Sequence, residues 1–143
     1  MRKVRTDPQT DDHGAAKPVR AWVPAAAWAV VLFLLSASPG LEGPSWLAVN
    51  DKVGHLVLYL VLGASLSYGR SRSVHRPTHA LLIAVGALYA ASDEWHQVFV
   101  PGRTPDWLDW VADCAGVILG YAVASLLLER TAEREAGNNG IKT

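Results

Sequence analysis

Three separated stretches of the chain hold side chains that could bind a ligand or transfer a proton. They are Asp51, Lys52, His55 and Tyr59, then Asp93, Glu94, His96 and Gln97, then Arg103, Asp106, Asp109 and Asp113. Lysine and arginine bind phosphate or carboxylate groups, arginine through its two-pronged donor geometry. Histidine titrates near neutral pH, and carboxylates can orient such a group or bind a divalent cation. These residue types predict a site for a polar or anionic group.

The twelve residues divide into two predicted roles. The catalytic candidates are His55, Asp93, Glu94 and His96, with either histidine as general base. The substrate-binding candidates are Asp51, Lys52, Tyr59, Gln97, Arg103, Asp106, Asp109 and Asp113. Histidine and carboxylate also suit zinc, but Glu94 and His96 lie about 200° apart on a regular helix and cannot share one ion there. We therefore assign no metal ligand and expect no cofactor.

The segments that carry these residues have the composition of membrane-spanning helices. Residues 21–38 contain no charge, and residues 51–68, 79–98 and 107–128 are apolar over most of their length. A charge-free run of about 18 residues is a transmembrane candidate. No segment alternates apolar and polar residues as strands do. We predict an all-α, membrane-spanning bundle of four transmembrane helices over residues 21–128, between a disordered tail at 1–20 and a charged tail at 129–143.

Two alternatives apply to this membrane interpretation. Residues 21–38 could instead be a secretory signal peptide, because Ser36, Ala37 and Ser38 are small enough for a cleavage site. The other helices could belong to a soluble bundle, but residues 56–67 and 116–128 lack the wide polar face that such helices show. We therefore favour membrane insertion.

The distribution of basic residues predicts the orientation. With four spans, eleven of the 13 Lys and Arg residues fall in the two tails and the second connection, and only Lys52 and Arg103 fall on the other side. Because cytoplasmic segments carry the excess of Lys and Arg, both termini are predicted to be cytoplasmic. All three polar stretches then lie near the outer leaflet.

Helical periodicity places the polar residues of each segment on one face. The sets are Asp51, His55 and Tyr59; Gly86, Ala90, Asp93 and Gln97; and Asp106, Asp109, Asp113, Gly116 and Gly120. Carboxylates that faced lipid would each cost several kcal/mol, so these faces are expected to meet one another. The glycine spacing on the last face lets a second helix approach closely.

The overall composition excludes some classes of function. The chain has 13 Lys and Arg against 13 Asp and Glu, and this neutral balance argues against a nucleic-acid partner. Its one cysteine, Cys114, excludes an intrachain disulfide, and we expect it to serve in packing.

The three polar stretches together resemble motifs of the VanZ-like family of small bacterial membrane proteins. The motifs are D-K-x-x-H-x-x-x-Y at 51–59, D-E-x-H-Q at 93–97 and P-G-R-x-x-D-x-x-D-x-x-x-D-x-x-G-x-x-x-G at 101–120. The resemblance covers about half of the chain and implies a multi-pass protein of the bacterial cytoplasmic membrane. The family's namesake is associated with low-level teicoplanin resistance, which implies a cell-envelope role without a defined reaction. Asp113 departs from the pattern, since Asn is expected there in many relatives.

Three kinds of function fit this sequence. In the first, the protein binds or modifies an envelope lipid or glycan precursor at the outer leaflet. In the second, it is a non-catalytic scaffold or helper for a membrane protein partner, and its charges pair internally. The pairs would be Asp51 or Asp93 with Arg103, Lys52 with Glu94, and His55 with an aspartate. In the third, it is a transporter component, which the lack of a helix broken at mid-depth disfavours.

Overall fold

The apolar segments fold into four α-helices, which a computed structural model describes over residues 18–39 and 48–140. Helix α1 comprises Val23–Ser36, α2 comprises Ala48–Arg72, α3 comprises His79–Gln97 and α4 comprises Trp107–Gly140. A 3-10 helix, Pro18–Trp22, precedes α1. These two ranges contain no strand. The predicted all-α fold class is therefore confirmed.

Local chemistry explains where the helices begin. Pro24 lies in the first turn of α1, where its missing N–H would have had no partner in the helix. The Thr78 side chain caps α3 by accepting a hydrogen bond from the Leu81 backbone N–H. Asp106 does the same for α4, since its Oδ1 accepts from the Leu108 backbone N–H at 2.9 Å.

Several predicted boundaries were wrong. α1 ends at Ser36 rather than at 38, and α2 continues to Arg72 through residues predicted as a loop. α4 continues to Gly140 through the stretch predicted as a separate tail. That stretch is rich in Ala, Glu and Arg, which favour helix, and extending an existing helix avoids the cost of nucleation. Of the tail predicted to be disordered at 1–20, only residues 18–20 are described, and they belong to the 3-10 helix.

The closest packing in the fold is between α2 and α4. Gly63 of α2 and Gly116 and Gly120 of α4 lie directly against the opposite backbone. A Cβ atom at Gly120 would lie 2.7 Å from the Leu60 carbonyl carbon, which is closer than carbon atoms approach without repulsion. The predicted close approach at this glycine pair is therefore present, and it fixes the position of α4 along α2.

The surface of the protein is apolar along the helices. Leu88 of α3 is 70% exposed, and Leu126 and Leu127 of α4 are 56% and 57% exposed. Soluble monomers rarely expose contiguous apolar surface on this scale. Two segments, Val19–Ser36 and Trp107–Asn138, are long and apolar enough to cross a membrane, with mean hydropathies of 1.7 and 2.0.

Candidate functional site

Seven titratable residues, four of them buried, gather where α2, α3 and α4 meet near the start of α4. We call this set the polar cluster and define it as Lys52, His55, Asp93, Glu94, Asp106, Asp109 and Asp113. Asp93, Glu94, Asp109 and Asp113 are all buried. The predicted polar faces of the three helices therefore meet one another, and the carboxylates of Asp93, Asp109 and Asp113 lie inside the bundle rather than on its apolar surface.

Lys52 links α2 to the beginning of α4. Its Nζ atom donates to Asp106 Oδ2 at 2.7 Å and to Asp109 Oδ1 at 2.6 Å. The hydrogen bond from Lys52 lowers the pKa of Asp106, which precedes α4, and the backbone N–H of Leu108 lowers it further. The predicted pairing of Lys52 with Glu94 was wrong, because two aspartates already take up the lysine charge.

His55 and Asp113 form the central pair of the polar cluster. The His55 Nδ1 and Asp113 Oδ1 atoms are 3.0 Å apart, and the Asp113 side chain is fully buried. The histidine–aspartate pair predicted for an internal network is therefore present. The second carboxylate oxygen of Asp113, Oδ2, is buried and has no hydrogen-bond partner within residues 18–39 and 48–140.

Glu94, near the end of α3, is hydrogen-bonded to the loop between α3 and α4. Its Oε2 atom accepts a hydrogen bond from the Asp106 backbone N–H at 3.0 Å. Its other oxygen, Oε1, is buried and has no hydrogen-bond partner among the described residues. One ligand atom from each of His55, Glu94 and Asp113 can be chosen so that all three lie within 4.8 Å of one another.

Asp93 lies at the edge of the polar cluster, next to Tyr59. Tyr59 is buried and donates its hydroxyl hydrogen to Asp93 Oδ2 at 3.2 Å. The Tyr59 ring lies 6.4 Å from the ring of Tyr89, whose hydroxyl donates to the Ala29 carbonyl oxygen of α1. Sequence analysis missed Tyr89, although it precedes Asp93 by one helical turn and therefore lies on the same face of α3.

Four other predicted site residues are not members of the polar cluster, although Asp51 has a ligand atom within 4.8 Å of His55 and Asp109. His96 lies against Phe33 of α1, with ring centroids 4.8 Å apart. The Arg103 guanidinium lies 3.4 Å from the Leu35 carbonyl oxygen of α1, so its predicted pairing with Asp51 or Asp93 was wrong. Asp51 is exposed and Gln97 is buried. The structure therefore does not bring His96 and Arg103 to the central His55–Asp113 pair.

An apolar crevice of about 240 Å³ lies between α1, α2 and α3. Its lining residues are Trp22, Ala25, Ala26, Ala29, Leu62, Leu66, Val85, Gly86 and Tyr89. Tyr89 belongs to the crevice wall and also contacts Tyr59, the hydrogen-bond donor to Asp93. The polar cluster and the apolar crevice are therefore separated by little more than this pair of tyrosines.

Comparison with known proteins identifies relatives of the chain. The family model described as VanZ/LLP1 matches residues 10–128. An uncharacterised protein of Schizosaccharomyces pombe, C11E3.10, is 28% identical over 105 residues, which cover 73% of this chain and 65% of that protein. The chain thus spans about two thirds of the length of this relative. No solved structure matches the chain.

Proposed function

The chain belongs to the VanZ/LLP1 family, and from this premise we propose that it spans the bacterial cytoplasmic membrane four times. In this proposal it binds the headgroup of a cell-envelope lipid or a lipid-linked glycan precursor at the outer leaflet, and the His55–Asp113 pair is available for proton transfer on that headgroup. Both termini are cytoplasmic, and the polar cluster lies at the external ends of the helices.

The lengths of α2 and α3 support membrane spans by these two helices, in addition to the apolar segments Val19–Ser36 and Trp107–Asn138. The hydrocarbon core of a bilayer is about 30 Å thick. At 1.5 Å per residue, the 19 residues of α3 extend about 28 Å and the 25 residues of α2 about 37 Å. The apolar surface of the bundle would face lipid, and the carboxylates would avoid it. Such a distribution is costly in water and favourable in a membrane.

The observation that carries the ligand proposal is the contact between a polar site and an apolar crevice. A membrane lipid combines a polar headgroup with an apolar chain, and the two surroundings are adjacent here through Tyr59 and Tyr89. The crevice of about 240 Å³ is large enough for a chain segment of several methylene groups. Arg103 has no carboxylate partner among the described residues, and its guanidinium group is suited to a phosphate.

Native mass spectrometry of the full chain, purified in mild detergent with its co-purifying lipids, tests this proposal. Arg103→Gln removes the cation proposed for phosphate binding, and Ala26→Phe partly fills the crevice. We expect each variant to lose at least about tenfold of a co-purifying phosphorylated lipid. The matched control is Arg76→Gln in the exposed α2–α3 connection, which should retain the lipid. Unchanged lipid in both test variants would contradict the proposal.

A second candidate function, that of a scaffold or helper subunit, is favoured by the pairing of Lys52. Its charge is taken up by Asp106 and Asp109 inside the protein, as a purely structural network requires. The same experiment distinguishes the two functions. A scaffold predicts that Arg103→Gln changes thermal stability alone, whereas a lipid site predicts that the bound lipid is lost from a protein that remains folded.

A further inference from the structure

We infer that His55, Glu94 and Asp113 form a site for one divalent transition-metal cation. Each residue comes from a different helix, α2, α3 and α4 respectively. One ligand atom of each lies within 4.8 Å of the other two. Three ligands at about 2.1 Å from one tetrahedral ion lie about 3.4 Å from one another, so side-chain movements of about 1 Å are needed. Movements of this size bring all three into coordination distance.

The two carboxylates supply the second, independent observation. Asp113 is 0% exposed and Glu94 is 9% exposed, and each has one buried oxygen without a hydrogen-bond partner in the described part of the chain. A buried carboxylate oxygen without a partner is costly, because it has lost its hydration and gained nothing in return. One cation held between Glu94 Oε1 and Asp113 Oδ2 satisfies both oxygens.

The polar cluster contains more carboxylates than basic side chains, which favours the binding of a cation. Lys52 pairs with both Asp106 and Asp109, so its single positive charge balances only one of these two carboxylates. Neither Glu94 nor Asp113 forms an ion pair with a lysine or arginine among residues 18–39 and 48–140. Two buried carboxylates close together repel each other unless a positive charge lies between them. A divalent cation supplies that charge, and His55 supplies a nitrogen ligand beside it.

A second set of possible ligands is less suitable. Asp51, His55 and Asp109 also have ligand atoms within 4.8 Å of one another. However, Asp51 is exposed, and Asp109 Oδ1 already accepts a hydrogen bond from Lys52 at 2.6 Å. The set with Glu94 and Asp113 is therefore the one whose carboxylates are both buried and each retain an oxygen without a hydrogen-bond partner among the described residues.

The donor set indicates which ions fit. One imidazole nitrogen and two carboxylate oxygens suit Zn²⁺ or Mn²⁺, whereas Ca²⁺ takes six to eight oxygen ligands. Three protein ligands leave at least one coordination position for a water molecule or a phosphate oxygen. The inference is independent of the proposed lipid binding, since an ion can bind here without any lipid, but a His55–Asp113 pair that holds the ion no longer serves in proton transfer. If both hold, the cation lets an acidic site accept an anionic headgroup.

The test is metal binding by the full chain, purified in detergent without a polyhistidine tag. We expect about one Zn²⁺ or Mn²⁺ per chain by elemental analysis after incubation with the metal alone and desalting. Glu94→Gln and Asp113→Asn should each weaken binding at least about tenfold, and Glu133→Gln, at an exposed position of α4, should leave it unchanged. Glu94→Gln keeps a carbonyl oxygen to accept the Asp106 backbone N–H, so the fold is preserved in this variant.

Two further measurements make the outcome decisive. Co²⁺ substituted into the wild-type chain should give an absorption band that Glu94→Gln alters and Glu133→Gln does not. The site is refuted if the wild type takes up no ion, as expected if a proton instead neutralises Glu94, or if all variants bind metal equally. Lipid content is measured on the same samples, so a failure of metal binding is distinguished from a failure of lipid binding.

Discussion

Replacement of Gly120 by alanine tests the closest contact in the fold. The added Cβ would lie 2.7 Å from the Leu60 carbonyl carbon and 2.9 Å from Leu60 Cα. Carbon atoms pack at about 3.5 Å or more, so α2 and α4 would have to separate by at least roughly 0.8 Å, and by more at the Leu60 carbonyl oxygen, which is the nearest atom. The atoms that would be contacted are backbone atoms, which cannot rotate away as a side chain can.

The expected cost follows from this displacement. Overpacking of a well-packed interface costs about 1–3 kcal/mol. Alanine is also a better helix former than glycine by about 1 kcal/mol at an exposed position. Gly137 lies on the same helix, and a Cβ added there meets nothing within 4 Å. We therefore expect Gly120→Ala to lower the free energy of unfolding by about 1–3 kcal/mol, while Gly137→Ala leaves it unchanged or raises it slightly.

The measurement is reversible unfolding of both variants and the wild type in mixed detergent micelles, followed by circular dichroism. The comparison between the two glycines removes the general effect of a Gly→Ala change on helix stability. Equal unfolding free energies for Gly120→Ala and Gly137→Ala would refute the described packing of α2 against α4.

Two further predictions concern the polar cluster and the topology. The pKa of Asp106 is lowered in the folded protein by Lys52, so its contribution to stability is present above about pH 4 and is lost as the pH falls through the folded pKa. Lys52→Gln should therefore reduce the loss of stability between pH 6 and pH 3 in an unfolding titration, and an unchanged loss would contradict the ion pair. The topology is tested in a Cys114→Ser background with a membrane-impermeant thiol reagent. Thr104→Cys should react when the reagent is added outside the cell. Val74→Cys should react only after the cytoplasmic face of the membrane is exposed. Labelling of both from the same side would exclude four spans.

Much of the helical architecture could be predicted because its signals are local. Apolar runs define the helices, and Thr78 and Asp106 define two of their starts through side-chain caps. The ends of α2 and α4 were less predictable. Polar residues that favour helix, such as those after Leu128, are compatible both with a tail and with further turns of an existing helix. Local sequence does not decide between the two.

The site was only partly predictable, because periodicity gives the face of a helix but not the partner of each side chain. It placed Asp113 and the two glycines after it on one face of α4, where the structure has them packed against α2. It did not identify Asp109 as a partner of Lys52, nor the position of Glu94 beside His55. These contacts depend on the relative rotation of three helices, which no single segment encodes.

The glycine contact and the polar cluster are parts of one arrangement. Gly116 follows Asp113 by three residues and Gly120 by seven, so all three lie on the same face of α4. The close approach at these glycines therefore sets the rotation and the height at which Asp113 meets His55. A shift of roughly 0.8 Å at Gly120 would be transmitted along a rigid helix to the buried carboxylate two turns away. Gly120→Ala should consequently weaken Zn²⁺ binding as well as stability, although the glycine touches no proposed ligand, whereas Gly137→Ala should change neither.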